Sequence, residues 1–250
     1  MIIKITNKCT MNCIHCFENS TPDNKDMMSV RTLEKILMFI KSNDMKPKVI
    51  LISGGEPTEH PDLTWFIQKL SMQFDMIILL TNGLWLNESS SYQMIKSLSR
   101  FKKLMIQIIS DPNLYPKEID YGKVYNKKQF MVMKDVPSII WKGRALENKN
   151  KIPSTYQERE SPLCFNFRSL VNGRFNVSTA FNTLENSNKF CSLSFDTNGF
   201  IRISETIACP IVGSVDSDMS TIKENILKMN CSDCYLQNNL STIERKSLNL

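Results

Sequence analysis

A regular alternation of short apolar runs and amphipathic segments fills the first 145 residues and most constrains the fold. The apolar runs are rich in β-branched and aliphatic residues, as expected of strands buried on both faces. They cover residues 1–6, 48–53, 75–83, 103–110, 129–136 and 138–145. Predicted helices lie over 30–42, 62–74 and 90–101, where apolar side chains recur on one face. Because helix-sized gaps imply right-handed βα crossovers, the sequence predicts an α/β fold with a parallel sheet.

The pattern changes after residue 145, where a second, smaller part of the chain is predicted. The predicted divisions are a barrel domain over 1–145, a polar linker over 146–163, a cysteine-rich α+β domain over 164–240 and a tail over 241–250. The predicted elements of the cysteine-rich domain are strands over 174–179 and 192–204 and a helix over 220–229 capped by Ser220. The second strand region contains a hairpin turn at Asn198-Gly199.

Composition excludes several classes of protein. No apolar run approaches the roughly 20 residues that span a bilayer, and the first residues lack a signal-peptide layout. The sequence therefore predicts a cytoplasmic protein with no membrane partner. The net charge is +6, but the lysines are scattered and no basic helix carries interleaved aromatics, so nucleic acid is not expected as a partner.

The distribution of the eight cysteines indicates metal or cluster binding, because a reducing cytoplasm disfavours disulfides. Cys9, Cys13 and Cys16 follow the first predicted strand with the spacing C-x3-C-x2-C, and His15 stands between the last two. A structural zinc needs four ligands. A zinc site with His15 as the fourth ligand is the alternative, although one small ion could hardly reach all of these closely spaced side chains.

A second motif, "SGGEPTEHPDL", follows the second predicted strand. The carboxyl ends of parallel strands share one edge of a sheet, which is where ligands bind. Gly54 and Gly55 allow close approach of the backbone, and Glu56, fixed by Pro57, offers an acceptor for an ammonium group. The sequence thus predicts a ligand site that combines this motif with the three cysteines.

The three-cysteine motif together with the GGEP sequence resembles the radical S-adenosylmethionine (SAM) superfamily. The resemblance implies a partial, open (β/α)6 barrel of the TIM type. It also implies a 4Fe–4S cluster held by Cys9, Cys13 and Cys16, whose fourth iron binds SAM. In that family the cluster cleaves SAM to a 5′-deoxyadenosyl radical, which abstracts a hydrogen from the substrate. An external reductant such as flavodoxin or ferredoxin supplies the electron.

Further site residues follow from the same resemblance, while no catalytic residue is assigned. The implied contacts with SAM or substrate are Gly54, Gly55, Glu56, Pro57, His15, Asn82, Ser110, Asp111 and Arg144. Simple structural roles stay open for three of them: a turn at Asn82, a turn at Asp111 before Pro112, and a surface salt bridge for Arg144.

The C-terminal cysteines resemble the SPASM extension of this superfamily or its shortened Twitch form. The implied ligands of one auxiliary 4Fe–4S cluster are Cys191, Cys209, Cys231 and Cys234. No further cysteine follows Cys234, which favours the one-cluster form. A zinc ribbon is the alternative. Cys164 is left over, either as a buried apolar side chain or as another ligand.

These resemblances imply a radical SAM enzyme, an oxidoreductase or maturase, that oxidises or crosslinks a small molecule or a peptide. The length and C-terminal spacing resemble aminocyclitol dehydrogenases, whose cluster loop differs from "CTMNCIHC", and peptide-modifying members share the same extension. Two other functions stay open: a non-catalytic zinc or iron–sulfur regulatory protein, and an activase that installs a glycyl radical on a partner enzyme.

Overall fold

The computed structural model describes residues 1–134, 139–156, 171–173, 175–186, 193–203 and 209–229. The strands are β1 (Ile2–Lys4), β2 (Val49–Ser53), β3 (Met76–Thr81), β4 (Leu104–Ile109), β5 (Phe130–Met133), β6 (Ser194–Phe195), β7 (Phe200–Arg202) and β8 (Gly213–Ser214). The helices are α1 (Val30–Ser42), α2 (Leu63–Gln73), α3 (Ser91–Ser99), α4 (Gly143–Glu147), α5 (Val177–Asn186) and α6 (Met219–Lys228).

The strands form one sheet in the order β5-β4-β3-β2-β1-β6-β7-β8. The strands β1 to β5 are parallel, and β6 adds to the free side of β1, also in parallel. The sheet does not close. This topology confirms the predicted α/β class and the open, partial barrel of the TIM type.

The two faces of the sheet differ in burial. Side chains such as Ile52, Leu79 and Ile106 are fully buried and belong to the main core with α1, α2 and α3. We call the opposite face the inner face. In β1 to β5 its residues are Ile2, Lys4, Val49, Leu51, Ser53, Met76, Ile78, Leu80, Met105, Gln107, Ile109, Met131 and Met133. Most of them are only partly buried, so this face has room for a ligand.

Helix α1 shows why the prediction was accurate in the first part of the chain. Its observed bounds are those predicted, and the Ser29 hydroxyl caps it by accepting a hydrogen bond from the Thr32 amide at 3.0 Å. Leu33, Ile36 and Ile40 lie on its buried face. A strong apolar period and a capping side chain agree here, so local sequence decides the structure.

Two predicted strands are wrong. Residues 143–145, assigned to a sixth strand over 138–145, begin helix α4 instead, and Gly143 has φ of 52°. The strand predicted over 174–179 is replaced by helix α5 from Val177. There the Asn176 side chain accepts a hydrogen bond from the Thr179 amide at 2.7 Å, which starts a helix at a site that β-branched residues had suggested was extended.

The hairpin around Asn198-Gly199 is confirmed, since β6 and β7 pair antiparallel across it. Helix α6 begins one residue early and is capped by Asp218, so the predicted cap at Ser220 is wrong. Cys209 is buried beyond the end of β7, at the sheet edge where β1 begins. Four cysteines lie outside the described residues: Cys164, Cys191, Cys231 and Cys234. The divisions at residues 145, 163 and 240 stay predictions.

A helix that crosses a membrane must be long and apolar, and no helix in the described part of the chain is both.

Candidate functional site

Residues 9–16, the cysteine loop, follow β1 at the carboxyl edge of the sheet. The loop is closed by backbone hydrogen bonds from Cys9 N to Thr21 O at 3.0 Å and from Cys16 N to Cys13 O at 3.3 Å. Asn12 turns the chain with φ of 54°, a conformation that asparagine tolerates better than most residues. Cys9 and Cys13 are buried and Cys16 is partly exposed, and all three are free thiols.

The electrostatics of the loop keep its buried thiols protonated until a cationic group binds. Burial raises the pKa of Cys9 and of Cys13, and the neighbouring thiolates raise that of Cys13 further. Metal binding must therefore replace these protons. Across the described residues, no three His, Cys, Asp or Glu side chains converge on a point that a single ion would occupy. Cysteine thiolates are the ligands of iron–sulfur clusters, so this set of three thiols fits such a group.

The two glycines of the GGEP motif pack against the backbone of residues 6–8 and do not face open space. A Cβ on Gly54 would lie 2.3 Å from Thr6 O, and one on Gly55 would lie 2.3 Å from Lys8 O. Gly55 N donates to Thr6 O at 2.6 Å. The glycines therefore let the loop after β2 lie directly on the segment that leads into the cysteine loop.

Glu56 is 2% exposed and is bound by neighbouring protein groups. Its Oε1 accepts hydrogen bonds from the Thr81 hydroxyl at 2.7 Å and from the Thr58 hydroxyl at 2.7 Å, and its Oε2 accepts from Asn82 N at 2.7 Å. Burial raises the pKa of Glu56, while these hydrogen bonds oppose the rise. Oε2 keeps a free lone pair, so it can still accept from an ammonium group.

Asn82 connects the end of β3 to the cysteines. Its side-chain amide donates to Cys9 Sγ at 3.6 Å, and its Oδ1 accepts from Leu84 N at 2.8 Å. Thr81, just before it, accepts a hydrogen bond from Trp85 Nε1 at 3.1 Å. The end of β3 is thus a turn and also contacts a candidate cluster ligand.

The side chain of Arg144 reaches from helix α4 to the cysteine loop. Its Nε donates to Cys13 O at 3.1 Å and its Nη2 donates to Ser20 O at 2.7 Å. Helix α4 can approach this closely because Gly143 has no side chain: a Cβ there would lie 2.7 Å from Phe17 O. Arg144 therefore fixes the cysteine loop through two backbone carbonyls. Its contact with SAM or substrate stays a prediction.

His15 and Asp111 belong to one group of side chains beside the loop. The rings of His15 and Tyr115 lie 4.9 Å apart, and His15 Nδ1 is buried with no hydrogen-bond partner within the described ranges. Burial lowers the pKa of His15 to about 4, so its ring is neutral at pH 7. Asp111 is buried, and its Oδ2 accepts a hydrogen bond from Tyr156 at 2.7 Å. Because His15 Nδ1 is buried and lacks a partner, it suits a polar ligand group at this place.

The remaining predicted residues are close to the same edge. Pro57 is buried and opens a short 3-10 turn, and Ser110 is buried and donates from its backbone to Met133 O at 3.0 Å. Sequence reasoning missed Tyr115 and Tyr156, which lie in segments without a period. It also missed Lys4, although a lysine inside the apolar run "MIIKIT" is a visible signal.

The fold, the loop of three thiols and the GGEP turn define a class of proteins. The family model of the Radical SAM superfamily matches residues 3–136, more than half of the 250 residues. The chain therefore belongs to the radical SAM superfamily.

Among curated relatives, the probable GTP 3',8-cyclase of Methanothermobacter marburgensis is 32% identical over 89 residues, covering 35% of this chain and 28% of the relative. The subtilosin biosynthesis protein AlbA of Bacillus subtilis is 25% identical over 107 residues, covering 43% of this chain and 22% of AlbA. The chain thus matches less than a third of either relative's length.

Two solved structures resemble most of the fold. BtrN in complex with AdoMet and 2-DOIA has a TM-score of 0.59 at 12% identity, covering 90% of this chain and 82% of BtrN. SuiB of Streptococcus suis bound to S-adenosylmethionine has a TM-score of 0.54 at 14% identity, covering 94% of this chain and 70% of SuiB. At these identities the likeness shows the fold.

Proposed function

We propose that this chain reductively cleaves SAM and uses the resulting radical to oxidise or crosslink a peptide or a small molecule. The observation that carries the proposal is the cysteine loop, which has three free thiols, one of which, Cys9, accepts from the Asn82 amide beside Glu56 of the GGEP turn. When bound, a 4Fe–4S cluster with one open iron supplies the electron that cleaves the sulfonium of SAM.

In this proposal Cys9, Cys13 and Cys16 hold the cluster, while other residues bind SAM. Glu56 Oε2 accepts from the ammonium group of SAM, at the edge where Gly54, Gly55 and Pro57 shape the turn. His15 Nδ1, Ser110, Asp111 and Arg144 contact other parts of SAM or the substrate. Asn82 donates to a cluster thiolate, which stabilises its negative charge.

An auxiliary 4Fe–4S cluster is the second part of the proposal. Cys209 is buried at the sheet edge where β1 begins. We assign Cys191, Cys209, Cys231 and Cys234 to this cluster, which would accept the electron that the substrate loses. A flavodoxin or ferredoxin supplies electrons to the first cluster, and the cytoplasm is the proposed location.

The names of related proteins support both classes of substrate. SuiB has been solved bound to the precursor peptide SuiA, and AlbA is named for the biosynthesis of a bacteriocin. BtrN has been solved with 2-DOIA, and other relatives are named as probable GTP 3',8-cyclases. These activities belong to those proteins, and here they limit the proposal to radical chemistry on an organic substrate.

Anaerobic reconstitution tests the proposal directly. We expect about eight irons per chain, as two 4Fe–4S clusters require, and conversion of SAM to 5′-deoxyadenosine after reduction by dithionite. Zinc at one or two equivalents without SAM cleavage would instead support a regulatory metal protein. A glycyl radical on an added partner enzyme would support an activase.

A further inference from the structure

Lys4 is the only charged residue among the inner-face residues of the described strands β1 to β5. Its ammonium group forms an ion pair with Glu18, two residues beyond the cysteine loop. The side chains are 7% and 9% exposed, and the Phe17 ring lies 5.9 Å from Lys4 Nζ. The pair is buried beneath the cysteine loop, on the face that a substrate would reach.

Stability alone does not account for this pair. Two buried charges lose their hydration, and apolar side chains of similar volume often stabilise a core as well or better. The pair keeps hydrogen-bonding capacity, because a lysine ammonium carries three N–H donors. Within the described residues Lys4 Nζ donates only to Glu18 Oε1, and Glu18 Oε2 accepts no hydrogen bond. The pair therefore offers a free N–H donor on Lys4 Nζ beside a free acceptor, Glu18 Oε2, and carries no net charge.

Further polar groups lie along the same row of the inner face. Lys4 pairs in register with Ser53, and Leu80 pairs with Gln107. The pairing of Ile52 with Leu79 places Ser53 beside Leu80 and completes the row. With neighbouring strands about 4.8 Å apart, Lys4 and Gln107 are separated by roughly 14 Å. An extended peptide of about four residues spans that distance.

The rest of the inner face is apolar and adaptable. The row below contains Leu51, Ile78 and Met105, and the row above contains Ile109 and Met133. Methionine side chains fit varied apolar partners. A polyol would bury hydroxyl groups against these side chains without partners, which is costly. An extended peptide alternates amides with side chains and matches polar groups that are separated by apolar ones.

The geometry points to a peptide-binding site on the inner face: Lys4 and Glu18 together hold the backbone C=O and N–H of one residue of an extended substrate, and Gln107 holds a second backbone group. The carbonyl of that residue accepts from Lys4 Nζ, and its N–H, on the same side of the extended chain, donates to Glu18 Oε2. A neutral ion pair suits an uncharged amide better than a free anion. The inference rests on the proposed function and selects the peptide from its two substrate classes.

Anaerobic equilibrium dialysis of the reconstituted full chain with SAM tests this site. The probes are a pool of blocked pentapeptides, acetyl-X-Leu-X-Leu-X-amide, and myo-inositol at equal concentration. We expect the chain to retain the pool and not the polyol. Lys4→Met should weaken retention at least tenfold, and Lys4→Arg, which keeps the donors, should stay within threefold. Lys41→Met, on the exposed end of α1, is the matched control and should not change retention.

Gln107→Leu is a second variant at the other end of the row, where no charge is removed from the core. We expect it to weaken retention at least threefold, so the site stays testable if Lys4→Met does not fold. Equal retention of myo-inositol, no retention of the pool, or unchanged retention in Gln107→Leu would overturn the inference. If wild type cleaves SAM but retains no peptide, only this inference fails. If it cleaves no SAM, the proposed function fails as well.

Discussion

The guanidinium of Arg144 donates to the backbone carbonyl of Cys13, 3.1 Å away, and so joins helix α4 to the middle of the cysteine loop. A second donation from Arg144 reaches Ser20 O at 2.7 Å. The guanidinium thus holds Cys13 in the loop and Ser20 after it in a fixed relative geometry. A fork of N–H donors does this in a way that a single ammonium cannot.

Arg144→Lys should therefore destabilise the loop. Hydrogen bonds from a charged donor contribute about 1.5–3 kcal/mol each, and lysine can replace only one of them. We expect the free energy of unfolding in urea to fall by about 2 kcal/mol, together with a lower yield of reconstituted iron. Arg100→Lys, at the exposed end of α3, is the control. Equal stability of both variants with wild type would contradict this role of Arg144.

Gly55→Ala tests the close approach of the GGEP turn to the chain before the cysteines. The new Cβ would lie 2.3 Å from Lys8 O, which is backbone and cannot move aside cheaply. We expect a loss of about 3 kcal/mol in unfolding free energy, typical of overpacking. At Gly122 the nearest contact is a side-chain oxygen at 3.2 Å, so Gly122→Ala should be nearly neutral by the same urea titration.

Cys13→Ala tests the proposed SAM-binding cluster. Two thiolates cannot hold three irons, so we expect the iron content to fall by about four per chain. Production of 5′-deoxyadenosine, followed by chromatography, should fall to the background of the assay. Met72→Ala, at an exposed position on α2, is the control for handling losses. Full SAM cleavage by the Cys13 variant would refute the assignment.

The double variant Cys231→Ala/Cys234→Ala tests the auxiliary cluster by itself. We expect about four irons per chain to remain, with the electron paramagnetic resonance signal of the reduced cluster still changed by added SAM. Product formation should be lost, because the substrate radical has no electron acceptor. An unchanged iron content of the double variant would mean that these two thiols bind no cluster.

The fold was predictable where local signals agree. Helix α1 has an apolar period and a serine cap, and the buried runs at β2, β3 and β4 can form little other than parallel strands. The error at Gly143 arose where a short segment depends on contacts distant in sequence: Gly143, which starts α4, lies against Phe17 and Asn19, which no short window of sequence contains with it. At Val177 the cause is local, because the cap at Asn176 outweighs the β-branched residues.

The sequence allowed us to predict which residues belong to the candidate site, but not which residues they contact. The position of Asn82 at a strand end marked it as a site residue, but its contact with Cys9 depends on two loops that meet in space. Likewise, the sequence pointed to a ligand role for the glycines before Glu56, whereas their close neighbours are Thr6 and Lys8. The partners of buried polar side chains depend on the tertiary structure, because they come from segments that are distant in sequence.

The parallel pairing of β6 with β1 separates the two sites at which we propose clusters. It places Cys209 at the edge where the strands begin, while Cys9, Cys13 and Cys16 lie beyond the edge where they end. A strand of five residues is about 16 Å long, so the barrel wall is a spacer between the two proposed redox centres. In this proposal, electrons from the reductant enter at the edge where the strands end, and the electron that the substrate loses leaves at the edge where they begin. Because the sheet separates the two centres, electrons pass between them only through a bound substrate.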